Sequence, residues 1–353
     1  MRQEPVISVI IPHVFGNVLL SCLRSLTETC RQFPIEVLVV SDGDNKDPSL
    51  LAAKEEFPFV RFLATGGGKG YGASCNLGGR IARGEFIAFL NNDLVVTPNW
   101  LGPLLEQLQS NPLVGACQPK SLSAHDQKHF DWGGAGGEID IFGYPFVWGR
   151  LFDHMEEDIG QYSKVREIFW AFGGALVVKK KIFESIGGFD PVFFLQMEEI
   201  DLCWRIRLAG FKVMYIPDST VYHYGGYTLP NGSWMKIHLN HRNNLRLLIK
   251  NYSLSTLLVI LPLRLVFECM SAFYFLARME FRSFSALVWG WGWILLTVRE
   301  MLSTRTISQS MRIISDKEIF KAMFKRSLVI DRFLLRKTAK DLLHDAPLGT
   351  LGC

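Results

Sequence analysis

The sequence predicts an α/β protein: a mostly parallel central sheet with helices on both faces, followed by a C-terminal hydrophobic helical region. Three observations carry this. Apolar runs rich in β-branched residues alternate with helical stretches over residues 6–118, and such alternation builds parallel sheets. The polar residues of that region cluster where the runs end, which is where open α/β sheets bind ligands. After Gly226 the composition turns strongly apolar.

The elements follow in order. "VISVIIP", "IEVLVVSDG", "VRFLATGGG" and "EFIAFLNND" are apolar runs closed by Gly, Pro, Asn or Asp, the form of strands buried on both faces. Helices are expected over about 18–32, 48–57, 73–83 and 99–110. Residues 119–165 are irregular and rich in Gly and aromatics. "FWAFGGALVVKKKIFESIGGFD" then reads as a strand, a short helix and a turn, and a helix over about 198–209 precedes a strand over about 212–223. Two domains are expected: 1–230, carrying the sheet, and 231–353, helical. In the second, residues 253–263 and 284–298 lack charge, and the latter holds three tryptophans. A spanning helix needs roughly 20 apolar residues. The second run is shorter, and the first continues through Arg264 and Glu268, four apart and able to neutralise each other on one helix face. Clustered tryptophans suit the membrane–water interface. Membrane attachment by interfacial helices or a shallow hairpin is therefore expected, a buried hairpin capping the sheet domain being the other arrangement.

Composition narrows the class. At 353 residues, 48% hydrophobic and 20% charged, the chain is too charged for a polytopic membrane protein. A net charge of +4 is concentrated in a basic tail from Arg299 onward, including Arg305, Arg312, Lys321, Arg332 and Lys340. Beside the apolar segments this suits an anionic membrane surface rather than nucleic acid. Seven scattered cysteines without a C-x-x-C pair suggest neither a disulfide framework nor a zinc site. "MRQEPVISVIIP" has no long apolar stretch after its charges, so no cleaved leader is expected and the bulk of the chain is expected in the cytoplasm.

Five constellations bear chemistry. Asp93, in "LNND", ends a buried strand: a carboxylate there can hold a divalent cation, or simply close an Asx turn. Glu198, Glu199 and Asp201 crowd before a helix. Like charges so close raise at least one pKa, which suits a general base, although the helix dipole also favours acids there. His223 ends a later strand, either as a ligand or as a satisfied core residue. Asp42 follows the second strand, a usual place to grip a nucleotide. "GGGKGYGASCNLG" (66–78) is a Gly-rich loop letting backbone approach a ligand, with Lys69 in reach of phosphate. It matches neither a Walker A loop nor a G-x-G-x-x-G fingerprint.

In order and spacing these pieces resemble family-2 glycosyltransferases, which have the GT-A (Rossmann-like) fold. The matching stretches are "SVIIP", "VLVVSDGD", "GYGASCNLGGRIARGEFIAFLNND", "FGGALVVKKKIFESIGGFDPVFF" and "EEIDLCWRIRLAGFKVMYIPDSTVYHYGG", over about residues 6–227. The trailing "HRNNLRLLIKN" and the apolar segments look like the rhamnosyltransferase-like branch that builds cell-surface polysaccharides. The resemblance implies that Asp93 holds Mg or Mn and that Asn92 lies against the nucleotide-sugar. It implies that Asp42 contacts the base beside Pro12 and His13, and that Lys69 and Asn76 face the nucleotide or its phosphates. Glu199 takes the position of the catalytic base, flanked by Glu198 and Asp201, and His223 completes the metal site. The expected activity is inverting, metal-dependent transfer of a sugar from a nucleotide-diphosphate sugar to a hydroxyl of a lipid-linked saccharide, at the cytoplasmic face of the membrane. Two departures stand out. Asn91 fills the usual first aspartate of the D-x-D-like motif, leaving one protein carboxylate for the metal, and Glu replaces Asp at 199. A processive polysaccharide synthase would carry Q-x-x-R-W, but Arg242 is followed by Asn243. A nucleotidyltransferase would need a Gly-rich basic loop where "PHVFGN" stands. A non-catalytic binding scaffold on the same fold is the remaining alternative.

Overall fold

The apolar runs become the inner strands of one sheet in the computed structural model, which describes residues 4–152, 154–225, 230, 232–338 and 341–342. The expected boundary at 230 abuts residues outside this set, and Lys340 of the basic tail lies outside it. In chain order come β1 (Ile7–His13), α1 (Val18–Gln32), β2 (Ile35–Ser41), α2 (Pro48–Glu56), β3 (Val60–Ala64), α3 (Tyr71–Ile81), β4 (Phe86–Leu90), β5 (Leu94–Val96), α4 (Leu101–Ser110) and β6 (Val114–Ser123). Four short strands follow: β7 (Gly137–Ile139), β8 (Pro145–Val147), β9 (Arg150–Leu151) and β10 (His154–Met155). Then come β11 (Arg166–Glu167), β12 (Ala175–Lys179), α5 (Lys180–Ser185), α6 (Glu198–Leu208) and β13 (Lys212–His223). The helical region comprises α7 (Trp234–Asn251), α8 (Leu254–Ala277), α9 (Phe281–Leu296), α10 (Val298–Ser310) and α11 (Asp316–Lys321).

The main sheet runs β11-β13-β6-β12-β4-β1-β2-β3, with β5 paired to β13. β1 lies parallel to both β2 and β4, β3 parallel to β2, and β13 parallel to β6. β12 runs against both neighbours, so β6 and β13 point the same way as β1. The sheet is thus mostly parallel, with β5, β11 and β12 reversed. Alternate side chains supply opposite faces. Val9, Ile11, Val37, Val39, Phe86 and Ala88 pack with α1, α2 and α4, whereas Ile10, Leu38, Val40, Ile87 and Phe89 join the core that includes α3, α5 and α6. The chain departs from β1 toward β2 and β3 on one side and returns through β4 on the other, placing a switch in strand order at the C-terminal ends of β1 and β4.

The stretch 119–165, irregular in sequence, carries β6 onward to Ser123 and then forms a four-stranded antiparallel sheet, β10-β9-β8-β7. Its strands of two or three residues are too short to show periodicity. Their turns use left-handed glycines, Gly143 (φ +87°) and Gly149 (φ +84°), the latter tucked against the Phe130 ring.

In the helical region α8 buries one stripe, Leu257, Ile260, Arg264, Glu268 and Ala272, at the three- and four-residue spacing of one helix face. Among the described residues it is the one helix long and apolar enough to cross a membrane. The Arg264–Glu268 pair forms as expected, at 2.5 Å, but on the buried stripe. Arg264 bonds the Tyr144 hydroxyl and Asn244 Oδ1, while Glu268 accepts from Trp291 Nε1 at 3.1 Å and pairs with His241 at 2.8 Å. The outer face is left apolar and exposed, including Leu258 (69%), Val266 (55%) and Phe273 (73%).

Three charges of the basic tail have partners within the chain. Arg305 donates to the carbonyls of Ile249 and Tyr252, Arg312 pairs with Asp316 at 2.7 Å, and Lys321 pairs with Glu318. These contacts tie the tail to α7 and to itself, while Lys317, Lys325, Arg332 and Arg336 are exposed. Of the three tryptophans, Trp289 is exposed, whereas Trp291 bonds Glu268 and Trp293 lies under Arg242.

Candidate active site

At the end of β4, Asn91 donates its backbone N–H to Gly174 O (2.8 Å), and the chain turns so that Asp93 is buried. Asp93 Oδ2 lies 3.3 Å from His223 Nε2, because β5 pairs with the end of β13. Asp93 Oδ1 is buried with no hydrogen-bond partner. His223 Nδ1 bonds the Asp131 carboxylate on its other side, and Arg150 in turn meets Asp131 at 3.3 Å. Burial opposes a charge on His223, but the bonds to Asp131 and Asp93 outweigh it and push the imidazole up to about 9.

The implied Mg or Mn ion can be tested against these atoms. An orphaned, buried carboxylate oxygen beside an imidazole nitrogen is a donor set such an ion accepts once the proton Nε2 shares with Asp93 has left, and the carboxylate behind the histidine is the outer partner that orients histidine ligands. Among the described residues no cluster of three or more His, Cys, Asp or Glu that could hold an ion is present. The chain therefore offers Asp93 and His223, a set that fits an ion completing its shell with diphosphate oxygens and water. Asp131 escaped the sequence reading. It lies in the stretch 119–165, which reads only as irregular, and its contact with His223 spans 92 positions.

The second cluster opens α6. Glu198 and Glu199 each keep a buried carboxylate oxygen without a partner. Burial, and then the charge of Glu199, holds Glu198 well above the carboxylate range; burial pushes Glu199 up to about 7. Two neighbouring acids in a dry site cannot both ionise freely. Asp201 behaves differently. It is wholly buried and engaged by Arg205 (2.6 Å), Lys250 (2.9 Å) and Asn251 (3.0 Å). Burial disfavours its charge, yet Arg205 and Lys250 hold its pKa below the usual value. It is an ion-pair hub rather than a flank of the base.

The segment 172–174 joins the two clusters. The Phe172 ring lies 5.2 Å from that of His223, Gly174 receives Asn91, and Gly173 backs Glu199, where an added Cβ would sit 3.2 Å from the Glu199 Cβ. Tyr71 donates its hydroxyl to Gly173 O at 2.5 Å.

The remaining expected residues line the β1–β2 side. Asn92 Nδ2 donates to His13 Nδ1 (2.9 Å), which leaves the proton on Nε2, facing Asp47 Oδ1 at 3.3 Å. Burial, outweighing Asp47, lowers the His13 pKa, so the ring is neutral. Pro12 precedes it on β1, half-buried. Asp42 is buried and its carboxylate binds the glycine loop: Thr65 Oγ1, Lys69 N–H (2.9 Å) and Gly70 N–H (2.7 Å) all donate to it. Lys69 itself is exposed. Asn76 diverges from the expectation of a nucleotide contact, since its amide donates to Phe189 O (2.8 Å) and accepts from Phe189 N–H (2.9 Å). It latches α3 to the turn before α6.

That turn is strained. Phe194 has φ +65° and ψ −66°, closing a tight turn in which Leu195 N–H donates to Phe193 O at 2.8 Å. Gln196 and Met197 have φ of +71° and +72°. Non-glycine residues in such regions cost on the order of 1–3 kcal/mol each and persist only where their surroundings hold them. Gly70 (φ +87°) lies against Phe194, and a Cβ there would come within 2.6 Å of its carbonyl oxygen.

The sheet and its switch point are those of the GT-A fold. A family model described as "Glycosyl transferase family 2" matches residues 8–187, half of the chain, and the chain belongs to that family. It is 29% identical over 237 residues to the O-antigen biosynthesis protein RfbC of Myxococcus xanthus, covering 64% of this chain but 18% of that protein. It is 26% identical over 239 residues to an N-acetylglucosaminyl-diphospho-decaprenol L-rhamnosyltransferase of Mycobacterium tuberculosis, covering 62% of this chain and 76% of that one. Its fold matches a crystal structure of GalNAc-T7 with UDP, GalNAc and Mn2+ (TM-score 0.57, 15% identity), over 99% of this chain and 59% of the other.

Proposed function

We propose that this glycosyltransferase is an inverting, metal-dependent enzyme moving a hexose, with rhamnose the leading candidate, from a nucleotide-diphosphate sugar to a hydroxyl of a lipid-linked saccharide. The observation that carries it is the segment 172–174, which brings the Asp93–His223 pair and the Glu198–Glu199 pair to the two sides of one strand end. Glu199 accepts the proton of the acceptor hydroxyl. That oxygen forms a bond to the anomeric carbon from the face opposite the leaving group, and the bond from that carbon to the diphosphate oxygen breaks, releasing the nucleoside diphosphate. A base near neutrality suits this proton transfer. Asp93 and His223 would hold Mg or Mn, whose positive charge would offset that of the departing diphosphate. Pro12, His13, Asn92 and the Asp42-bound glycine loop with Lys69 form the nucleotide side.

The acceptor class rests on two supports: the diphospho-decaprenol in the name of the Mycobacterium relative and the exposed apolar face of α8. On this reading α8 and α9 lie at the cytoplasmic face of the membrane and hold the crevice beside a lipid-borne substrate.

A thermal-shift panel of UDP-, dTDP- and GDP-sugars with Mn tests the donor. One sugar class should raise the melting temperature with Mn and not with EDTA, and NMR of the transfer product should show an inverted anomeric centre. Retention of configuration, or equal turnover in EDTA, would refute the mechanism.

A further inference from the structure

The motif "HRNNLRLLIKN" spans residues 241–251. It forms α7, whose polar side chains are buried: Arg242, Asn243, Asn244, Arg246, Lys250 and Asn251. They divide between two neighbours. His241 and Asn244 hold Glu268 and Arg264 of α8. Arg246 and Lys250 hold Asp190, and Lys250 and Asn251 hold Asp201. Between Asp190 and Asp201 lies the left-handed segment before Glu198, and there Asn243 acts.

Asn243 Nδ2 donates to three carbonyls of that segment, Phe193 (2.9 Å), Leu195 (2.8 Å) and Gln196 (2.7 Å). An amide has two hydrogens, so one is shared. Its Oδ1 accepts from Arg242 Nε at 2.8 Å, and Arg242 Nη2 reaches the Val192 and Phe193 carbonyls. The guanidinium thereby fixes which end of the amide faces the segment. The carbonyls converge because Phe194, Gln196 and Met197 have positive φ, a backbone that returns to ordinary regions unless something holds it. On the far side Phe194 O accepts from Tyr71 N–H at 3.0 Å.

We propose that Asn243 is a positioning residue for sugar transfer, its amide fixing the left-handed segment 194–197 that aims Glu198 and Glu199 into the crevice. This rests on reading Glu199 as the base. Only an amide meets the requirement. Aspartate sets carboxylate oxygens against three carbonyl oxygens, and alanine leaves the carbonyls unheld.

The test uses the full-length chain with Mn and whichever UDP-, dTDP- or GDP-sugar of the panel it turns over fastest, comparing Asn243→Asp, Asn243→Ala and Glu199→Gln. Misplacing a reacting group by about 1 Å costs about 10²-fold. Both Asn243 variants should therefore lose about 30- to 100-fold in kcat, with donor KM within about twofold. The acid limb of the pH–rate profile should move toward ordinary carboxylate values as the site loosens. The ionisable groups facing the two glutamates are Tyr71 and Cys75 of α3 and Cys203 of α6. All of them titrate on the alkaline side, so an acid-limb shift reports the glutamates. Amide exchange over Leu195–Ile200 should quicken in either variant. A wild-type kcat and acid limb in a folded Asn243 variant overturns the proposal, as does unchanged exchange. Parallel loss of kcat and donor binding with a lowered Tm overturns it in favour of a purely structural residue. A wild-type rate in Glu199→Gln instead overturns the base assignment itself.

Discussion

Glu199 is in an environment suited to a base because it is half-buried, borders another acid and keeps one buried oxygen without a partner. Glu199→Gln should remove about 10²-fold or more of turnover and abolish the acid limb of kcat/KM, which in the wild type should fall below about pH 7 as the carboxylate takes a proton. Gly173→Ala is a subtler probe: its Cβ would press the Glu199 side chain at 3.2 Å, so turnover should drop with little change in donor KM. At the other cluster, Asp131 touches His223 rather than the proposed ion. Asp131→Asn should weaken Mn binding by about 10- to 100-fold, read by Mn EPR titration, with the fold intact by circular dichroism. Unchanged Mn affinity would refute the outer-partner role.

At the scale of elements, α7 and α8 carry what sets this chain apart from a bare sheet domain. Arg246 and Lys250 are buried against Asp190 at 3.0 and 2.9 Å. Removing that carboxylate takes one of two acidic partners from each buried cation, Lys250 keeping Asp201 and Arg246 keeping Glu300, so Asp190→Asn should cost roughly 1–3 kcal/mol of stability, measured by denaturant unfolding. Membrane attachment is best tested on α8. Deleting residues 253–353 would also remove Arg305 and Arg312, which cap the end of α7, and so confound the result. Leu258→Ser/Val266→Ser/Phe273→Ser alters only exposed positions and should release the protein from anionic liposomes in a flotation assay while the Tm holds. Continued flotation of the triple variant would exclude this face as the anchor.

For the whole molecule, the ion pairs that bind α7 to the sheet domain predict acid sensitivity. Burial works against ionisation of Asp190 and Asp201, but Lys250 and Arg246 for the first, and Arg205 and Lys250 for the second, keep both below the usual aspartate value. Groups with a depressed folded pKa contribute stability that is present above the unfolded value, near 3.9, and lost as pH falls through the folded one. Glu198 and Glu199 have the opposite sign: their raised folded values favour the protonated form, so their penalty grows from about pH 4.3 toward neutrality. The Tm should therefore fall steeply below about pH 4, and Asp190→Asn should flatten that fall. An equal slope in both proteins would show that the network does not carry it.

The sequence by itself determined the sheet. Its buried strands are continuous apolar runs closed by Gly, Pro, Asn or Asp, so β1–β4 were legible, and α1–α4, α6 and β13 fall within about two residues of their expected bounds. It also singled out Asp93, Glu198–Glu199 and His223, because acids and a histidine at element ends stand out against apolar runs, and the fold brings Asp93 to His223. Tertiary structure decided what depends on distant partners. Asp201 proved an ion-pair hub because Lys250 and Asn251 lie about fifty positions on. Asn76 proved a latch because Phe189 folds back onto it, and Asp131 joined the site only through the pairing of β6 with β13. Arg264 and Glu268 turned inward, leaving α8 apolar outside. A pattern along the chain reports which face is buried; only the packing of elements decides what a buried charge meets.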